Sequence, residues 1–365
     1  MLRVLSAVGT RPEMVKMAPV VKAVQNDDRC ESLLLFTAQH RGMLDQMAEF
    51  FGVKADMDLD VMREGQSLVE LTSRLLPALD DALARLCPDV VLAQGDTTTV
   101  LCAAMACFYR NIPFGHVEAG LRTGDLRNPF PEEGNRRLVA SLSAFHFAPT
   151  DDARLHLLAE GIPDFSIHVT GNTVIDALLE TVARDLPLPI AIPESAPLLL
   201  VTLHRRESFG EPLNDILLAI GDLVRARPSL HVLYPVHPNP TVKTSAKALL
   251  GDLPNVHLVA PLEYGVFVTA MRRATVILTD SGGVQEEAPS LSTPVLVART
   301  VTERPLGVQA GVARLVGTNR ERIQTEVARL LDDPDERRKM RVGKNPYGDG
   351  RAALRIVEIL CNHTW

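Results

Sequence analysis

The sequence lacks an excess of positive charge, any long apolar run and any paired-cysteine motif. Its 365 residues carry 38 Lys and Arg against 45 Asp and Glu, a formal net charge of −7. That balance argues against a general nucleic-acid or anionic-membrane surface, while leaving room for a local basic pocket. No window approaches the ~20 apolar residues of a membrane span. The stretch MLRVLSAVGTRPE has too short an apolar run for a signal peptide and reads as a buried strand. The five cysteines, Cys30, Cys87, Cys102, Cys107 and Cys361, are odd in number and include no CxxC. Cys87, Cys102 and Cys107 lie in apolar contexts, where free cysteine is usually core. A reducing cytosol, and hence a cytoplasmic protein, fits this usage. No His/Cys/Asp spacing resembles a zinc site, and HExxH, GxSxG, GxGxxG and P-loop patterns are all missing.

What is present is an α/β pattern. Hydrophobic content of 46% and charged content of 23% are ordinary for a soluble globular chain, and the length suits two domains. Short apolar runs bounded by Gly and Pro (LRVLSAV, SLLLFTA, PDVVLAQ, IPFGHVEAG and AFHFAPT, then PLLLVTL, LHVLYPV, VHLVAP, ATVILT and TPVLVA) alternate with helical patterns. Such runs are the signature of parallel strands covered on both faces, joined by right-handed crossovers. Between the two series lies the proline-rich ETVARDLPLPIAIPESAP, which places a linker near residues 172–197. The expected fold is two Rossmann-like domains facing one another across a cleft.

In open α/β sheets, ligands sit beyond the carboxyl ends of strands, so each strand-to-helix turn is a candidate. VGTRPEMVK puts Arg11 at a helix mouth and Lys16 one turn in. Solvated cations are the plain alternative, but the pair adds to the positive end of the helix dipole and suits a phosphate or carboxylate. In AQGDTTTV, Asp96 follows a strand-ending glycine, where it could equally be a helix N-cap. In GHVEAGLRTGD, Glu118 ends an apolar strand, where burial raises a carboxyl pKa. NPFPEEGNRR fixes a loop with two prolines before Glu132 and Glu133 open a helix, a position that also favours acids for dipole reasons alone. In the second half, His204, Arg205 and Arg206 follow the LLLVTL strand. In LTDSGGVQEE, the amides of Ser281, Gly282 and Gly283 can cradle an anion, yet Glu286 and Glu287 follow at once. TERP places Arg304 in a loop.

GTRPEMVKMAP, TAQHRGMLDQM, GDTTTV, GHVEAGLRTGD, PFPEEGNRR, TGNTVIDALL, HRRESFG, YPVHPNP, TDSGGVQEEAPS and NPYGDG occur in order over essentially the whole chain. Together they resemble the non-hydrolysing bacterial UDP-N-acetylglucosamine 2-epimerases. The resemblance implies the GT-B arrangement of two Rossmann-like domains, 1–171 and 172–349, with the helix after NPYGDG (350–365) crossing back onto the first. It implies a homodimer and interconversion of UDP-GlcNAc and UDP-ManNAc with no metal or redox cofactor. It matches Asp96, Glu118 and Glu132 to the family's catalytic carboxylates. Arg11, His204 and the Ser281–Gly283 amides would hold the diphosphate, with Lys16 nearby. Glu287 would take the ribose hydroxyls, which answers why a carboxylate follows an anion cradle. Phe267 would pack on uracil, with a backbone contact near Leu262, and Arg304 would add a nucleotide contact. Some members carry a second, activating substrate site that uses a Gln and an Arg. Those positions here are Gly42 and Gly65, whereas Gln39 and His237 are retained.

The C2 proton of a UDP-sugar is not acidic, because no carbonyl adjoins it. The reaction therefore calls for elimination of UDP to 2-acetamidoglucal and re-addition with protonation on the other face. That needs a diphosphate clamp, carboxylates for proton transfer and closure. The alternatives are epimerisation of a more modified UDP-sugar, a hydrolysing epimerase, a GT-B glycosyltransferase, and a UDP-sugar sensor with little use for three carboxylates.

Overall fold

Alternating apolar runs and amphipathic stretches become, in the computed structural model, two units, each a parallel sheet with helical crossovers. The structure describes residues 1–37, 41–61, 63, 65–205, 209–341 and 345–364. One unit is Met1–Ala177 with Tyr347–Trp365, and the other is Leu178–Pro346.

The first unit begins with β1 (Leu2–Val8), α1 (Arg11–Gln25), β2 (Cys30–Phe36), α2 (Arg41–Phe51), β3 (Met57–Asp58) and α3 (Leu68–Leu86). It continues with β4 (Val90–Gln94), α4 (Thr98–Tyr109), β5 (Phe114–Val117), α5 (Glu132–Leu142), β6 (Phe145–Ala148), α6 (Asp151–Ala159) and β7 (Ile167–Val169). Among the described residues its sheet has the order β3-β2-β1-β4-β5-β6-β7, and every recorded pairing is parallel. The order turns back at β1, and that reversal is where an open sheet offers a crevice at its carboxyl edge. Leu71, Leu75, Leu79 and Leu83 recur along one face of α3 and are buried with Leu5, Leu33, Val91 and Phe114. Each such side chain contributes about 1.5–3 kcal/mol by leaving water. Ser67 and Glu70 close a capping box at the start of α3. Cys102 and Cys107 lie in this core, but Cys87 does not: it is the left-handed C-cap of α3 and is exposed. Its apolar neighbours point inward, while the capping residue itself is turned out.

α7 (Thr173–Val182) occupies the beginning of the expected linker. Val174, Ile175, Ala177 and Leu178 form its buried face. That helical spacing decides the matter, because the prolines begin only at Pro187. The irregular part is therefore confined to residues 183–197.

The second unit comprises β8 (Leu198–Thr202), α8 (Glu211–Ala226), β9 (His231–Pro235), α9 (Pro240–Leu250), β10 (Val256–Val259), α10 (Tyr264–Arg273) and β11 (Val276–Thr279). There follow α11 (Gly282–Glu287), β12 (Val295–Val297), α12 (Pro305–Gln309), β13 (Ala313–Leu315), α13 (Arg320–Asp332) and α14 (Pro334–Lys339). The sheet order is β10-β9-β8-β11-β12-β13, again parallel. Its core gathers Leu199, Val201, Val232 and Leu278 with Ile216, Ile220, Ile323 and Val327.

The last helix, α15 (Ala352–Asn362), belongs to the first unit and packs on α1. The carboxylate of Asp176 accepts the Ala352 and Ala353 amides at 3.2 and 2.9 Å, capping its amino end. Arg355 donates to the Thr170 carbonyl at 3.0 Å.

Candidate active-site residues in each unit

In the first unit the candidate residues collect at the carboxyl ends of β1, β4 and β5. Gly9 ends β1 where a Cβ would collide with Thr99 Oγ1 and come within 2.6 Å of Thr37 Oγ1, so only glycine lets the turn close. Thr10 then caps α1. Its hydroxyl accepts the Glu13 amide, and the buried Glu13 carboxylate accepts Gly9 and Thr10 amides at 2.6 and 3.1 Å. Burial pushes the Glu13 carboxyl up to about 7, against the pull of the Thr97 hydroxyl and these amides.

Glu118 is the centre of this group. It follows β5 directly, is 9% exposed, and has φ +65°. A non-glycine residue held there is strained, and such strain persists where the surroundings fix it. Three donors fix it here. Lys16 Nζ lies 2.5 Å from Oε1, Asn172 Nδ2 donates to the same oxygen at 2.8 Å, and Gln94 Nε2 donates to Oε2. Lys16 is thus the counter-ion of Glu118 in this structure. Two residues back, His116 is fully buried, with Nε2 donating to the Gly95 carbonyl at 2.7 Å and Nδ1 unpartnered among the described residues. Burial lowers its pKa to about 4, so the ring is neutral near pH 7.

Asp96 is not the cap of α4; Thr97 is. Instead Asp96 Oδ2 pairs with Arg136 Nη2 at 2.6 Å, and its carbonyl accepts Asn135 Nδ2 at 2.8 Å. The two acids that open α5 have separate fates. Glu133 is fully buried and accepts the Thr123 and Gly124 amides at 3.1 and 3.3 Å, tying down the preceding loop. Glu132 is half-buried, and its Oε2 has no partner among the described residues. Arg11 opens α1 half-buried. Neither Arg11 nor Glu132 has an ion-pair partner among the described residues. Gln39 and Arg206 lie outside the described residues.

In the second unit the counterpart is the carboxyl end of β11. Asp280 is fully buried, and its Oδ2 accepts the amides of His204 and Arg205, each at 2.9 Å. His204 Nδ1 approaches Oδ1 at 2.9 Å but out of hydrogen-bond alignment. Burial opposes ionisation of Asp280, yet the His204 side chain and the two amides outweigh it and hold the carboxyl below its ordinary value. The His204 ring lies 6.4 Å from that of His237, which follows β9. Of the three amides expected to cradle an anion, that of Ser281 already donates to Thr279 Oγ1 at 2.9 Å. Those of Gly282 and Gly283 stand at the first two positions of α11, whose N–H groups have no partner inside the helix. A Cβ on Gly282 would lie 3.8 Å from the Arg304 guanidinium.

The paired acids of α11 divide the work. Glu286 is buried against Arg304 Nε. Glu287 accepts the Tyr264 hydroxyl at 2.8 Å. Arg304 lies in the loop, as expected, at the position just before α12. Leu262 and Phe267 are half-buried just before and within α10. Asp280, Tyr264, Arg136, Gln94 and Asn172 were not singled out from sequence as functional residues. Asp280 and Asn172 stand inside TDSGG and TGNTV, where a polar residue at a strand end or helix start was the available signal.

These features define an α/β protein of two Rossmann-like units. A family model described as UDP-N-acetylglucosamine 2-epimerase matches residues 22–361. A UDP-N-acetylglucosamine 2-epimerase of Escherichia coli O157:H7 is 49% identical over 373 residues, covering 99% of both chains. One from Bacillus subtilis strain 168 is 48% identical over 364 residues, covering 99% of this chain and 96% of its own. The crystal structure of UDP-GlcNAc 2-epimerase from Neisseria meningitidis bound to UDP-GlcNAc is 45% identical with a TM-score of 0.90, covering 99% of this chain and 100% of that one. The chain belongs to the UDP-N-acetylglucosamine 2-epimerase family.

Proposed function

We propose that this chain is a non-hydrolysing epimerase that interconverts UDP-GlcNAc and UDP-ManNAc. The observation that carries this reading is Glu118, a buried and strained carboxylate gripped by Lys16, Gln94 and Asn172 at a strand end. A purely structural carboxylate has no need of an ammonium, two amides and a left-handed backbone at once.

UDP departs from C1 as positive charge grows there, a carboxylate removes the C2 proton, and 2-acetamidoglucal is left beside UDP. Re-addition with protonation on the opposite face gives the epimer. Asp96, Glu118 and Glu132 carry the proton transfers, with Arg136 and Lys16 balancing charge on the first two. In the second unit His204, steadied by Asp280, and the Gly282 and Gly283 amides are diphosphate ligands. Arg11, in the first unit, is an anion ligand at the mouth of α1. Glu287, oriented by Tyr264, accepts the ribose hydroxyls. Phe267 packs on uracil beside the Leu262 backbone, and Arg304, next to the glycine turn, adds a nucleotide contact. Residues 172–349 take the UDP moiety, and 1–171 with 350–365 take the sugar chemistry. Gln39 and His237 are retained from the second, activating substrate site that some members carry, whose Gln and Arg positions are Gly42 and Gly65 here. The active protein is a cytoplasmic homodimer; no helix among the described residues is long and apolar enough to cross a membrane.

Proton NMR of the protein with UDP-GlcNAc in D₂O tests this. The expected product is UDP-ManNAc with deuterium at C2. Free ManNAc would instead show a hydrolysing enzyme, and unchanged, unlabelled sugar would overturn the reading for this substrate.

A further inference from the structure

Two of the five thiols meet. Cys30 opens β2, Cys361 lies in the last turn of α15, and their Sγ atoms are 3.2 Å apart. Both belong to the first unit, at the amino end of β2, opposite the end that carries Glu118. A disulfide needs a separation of about 2.05 Å, so the sulfurs need to close by only about 1 Å. Cys361 is half-exposed and Cys30 is buried.

Asp27 completes a cluster of potential metal ligands with these thiols. Its oxygens, however, are taken by Arg29, whose Nε and Nη2 donate to Oδ1 and Oδ2 at 2.9 and 2.7 Å. A bound cation would face that guanidinium and have to displace it, whereas a disulfide meets no such conflict. Arg29 also pairs with Glu358 at 2.9 Å, which ties the last turns of α15 to the same corner.

We propose that Cys30 and Cys361 form a reversible disulfide that latches the end of α15 to the start of β2. The oxidant is a small-molecule disulfide. Burial pushes the Cys30 thiol up to about 12, so the half-exposed Cys361 reacts first. Its thiolate attacks one reagent sulfur, the reagent S–S bond breaks, and one reagent thiolate leaves. Cys30 then gives up its proton and attacks the Cys361 sulfur, releasing the second reagent thiol. Two protein thiols are oxidised by two electrons, and one reagent disulfide is reduced to two thiols. The amino end of α15 is already held by Asp176, and the latch fixes the other end.

The test uses the full chain carrying Cys87→Ser, which removes the exposed thiol. Glutathione disulfide is added, remaining thiols are blocked, and the digest is mapped. The expected result is a linked Cys30–Cys361 peptide and a thermal midpoint raised on the order of 5 °C. Amide exchange over residues 357–362 slows, and dithiothreitol reverses every change. Neither Cys361→Ser nor Cys361→Ala, made in the same background, shows the rise. A stable glutathione adduct on Cys361 with Cys30 still free, or no reaction at either thiol, overturns the proposal. A linkage that leaves the midpoint and the exchange unchanged overturns the latch.

Discussion

Each unit buries a carboxylate immediately after a strand, and the two are held in different ways. Glu118 is gripped by side chains from α1, β4 and the segment before α7: Lys16, Gln94 and Asn172. Asp280 takes two backbone amides, those of His204 and Arg205, and has the His204 ring 2.9 Å from its other oxygen. Backbone donors in the turn after β8 are set by the path of the chain and do not follow a change in charge as a long side chain can. Long side chains can move, and an ammonium can balance a charge that comes and goes. The contrast teaches that burial alone does not assign a role. The Asp280 arrangement suits a positioner, and the Glu118 arrangement suits a group whose charge changes during turnover.

The strongest way to break this comparison is to remove the charge from the first unit. Glu118→Gln and Asp96→Asn should each lower turnover about 10³-fold or more while UDP affinity by calorimetry stays near wild type. Wild-type rates in either variant would take that residue out of the mechanism. Asp280→Asn should act on structure as well as on rate. Its remaining oxygen can still accept the two amides, but the negative charge is gone and an NH₂ group stands where Oδ1 faced His204, so stability should fall by about 1–3 kcal/mol in urea titrations. Should stability and activity both survive, Asp280 is no positioner.

Glu13 sharpens the comparison through pH. Its carboxyl rises from 4.5 to about 7, so between those values the folded chain binds more protons than the unfolded chain. Stability from this group is therefore greatest in acid, falls as pH rises through 4.5 to 7, and is lost above that. Glu13→Gln lacks the penalty, so its advantage in unfolding free energy over wild type, read from urea titrations, should grow from pH 5 to pH 8, with a ceiling of about 3 kcal/mol. A constant difference across that range would contradict the assigned cause. On the nucleotide side of the second unit, Glu287→Ala should weaken UDP binding by roughly 1–3 kcal/mol, and Tyr264→Phe, the smallest effect, by about 0.5–1.5 kcal/mol. If Tyr264→Phe cost more than Glu287→Ala, the hydroxyl rather than the carboxylate would be the ligand.

The strands were legible because parallel, doubly covered strands are short apolar runs with Gly or Pro at their ends, and LLLVT or VVLAQ cannot be much else. The candidate carboxylates were legible because each sits where a strand stops. Their partners were not. Gln94, Arg136 and Asn172 reach Glu118 or Asp96 across 24, 40 and 54 positions of chain, and His204 and Asp280 meet across 76. No local pattern records which side chain crosses to which. The cap of α4 is Thr97 rather than Asp96 because the helix begins at Thr98, and Asp96, one residue further out, pairs with Arg136 on another helix. Cys87 shows the converse, an apolar neighbourhood in sequence that the C-cap geometry turns outward.

The return of Tyr347–Trp365 to the first unit sets the order in which the chain can be completed on the ribosome. Every residue of the second unit is synthesised before α15 exists. Until α15 emerges, the apolar surface of α1 that it covers is open, and the Asp176 carboxylate has no helix end to cap. The unit that starts first is therefore finished last. A nascent chain stalled anywhere within residues 178–346 holds an incomplete first unit, which makes that interval the window in which a chaperone has most to protect.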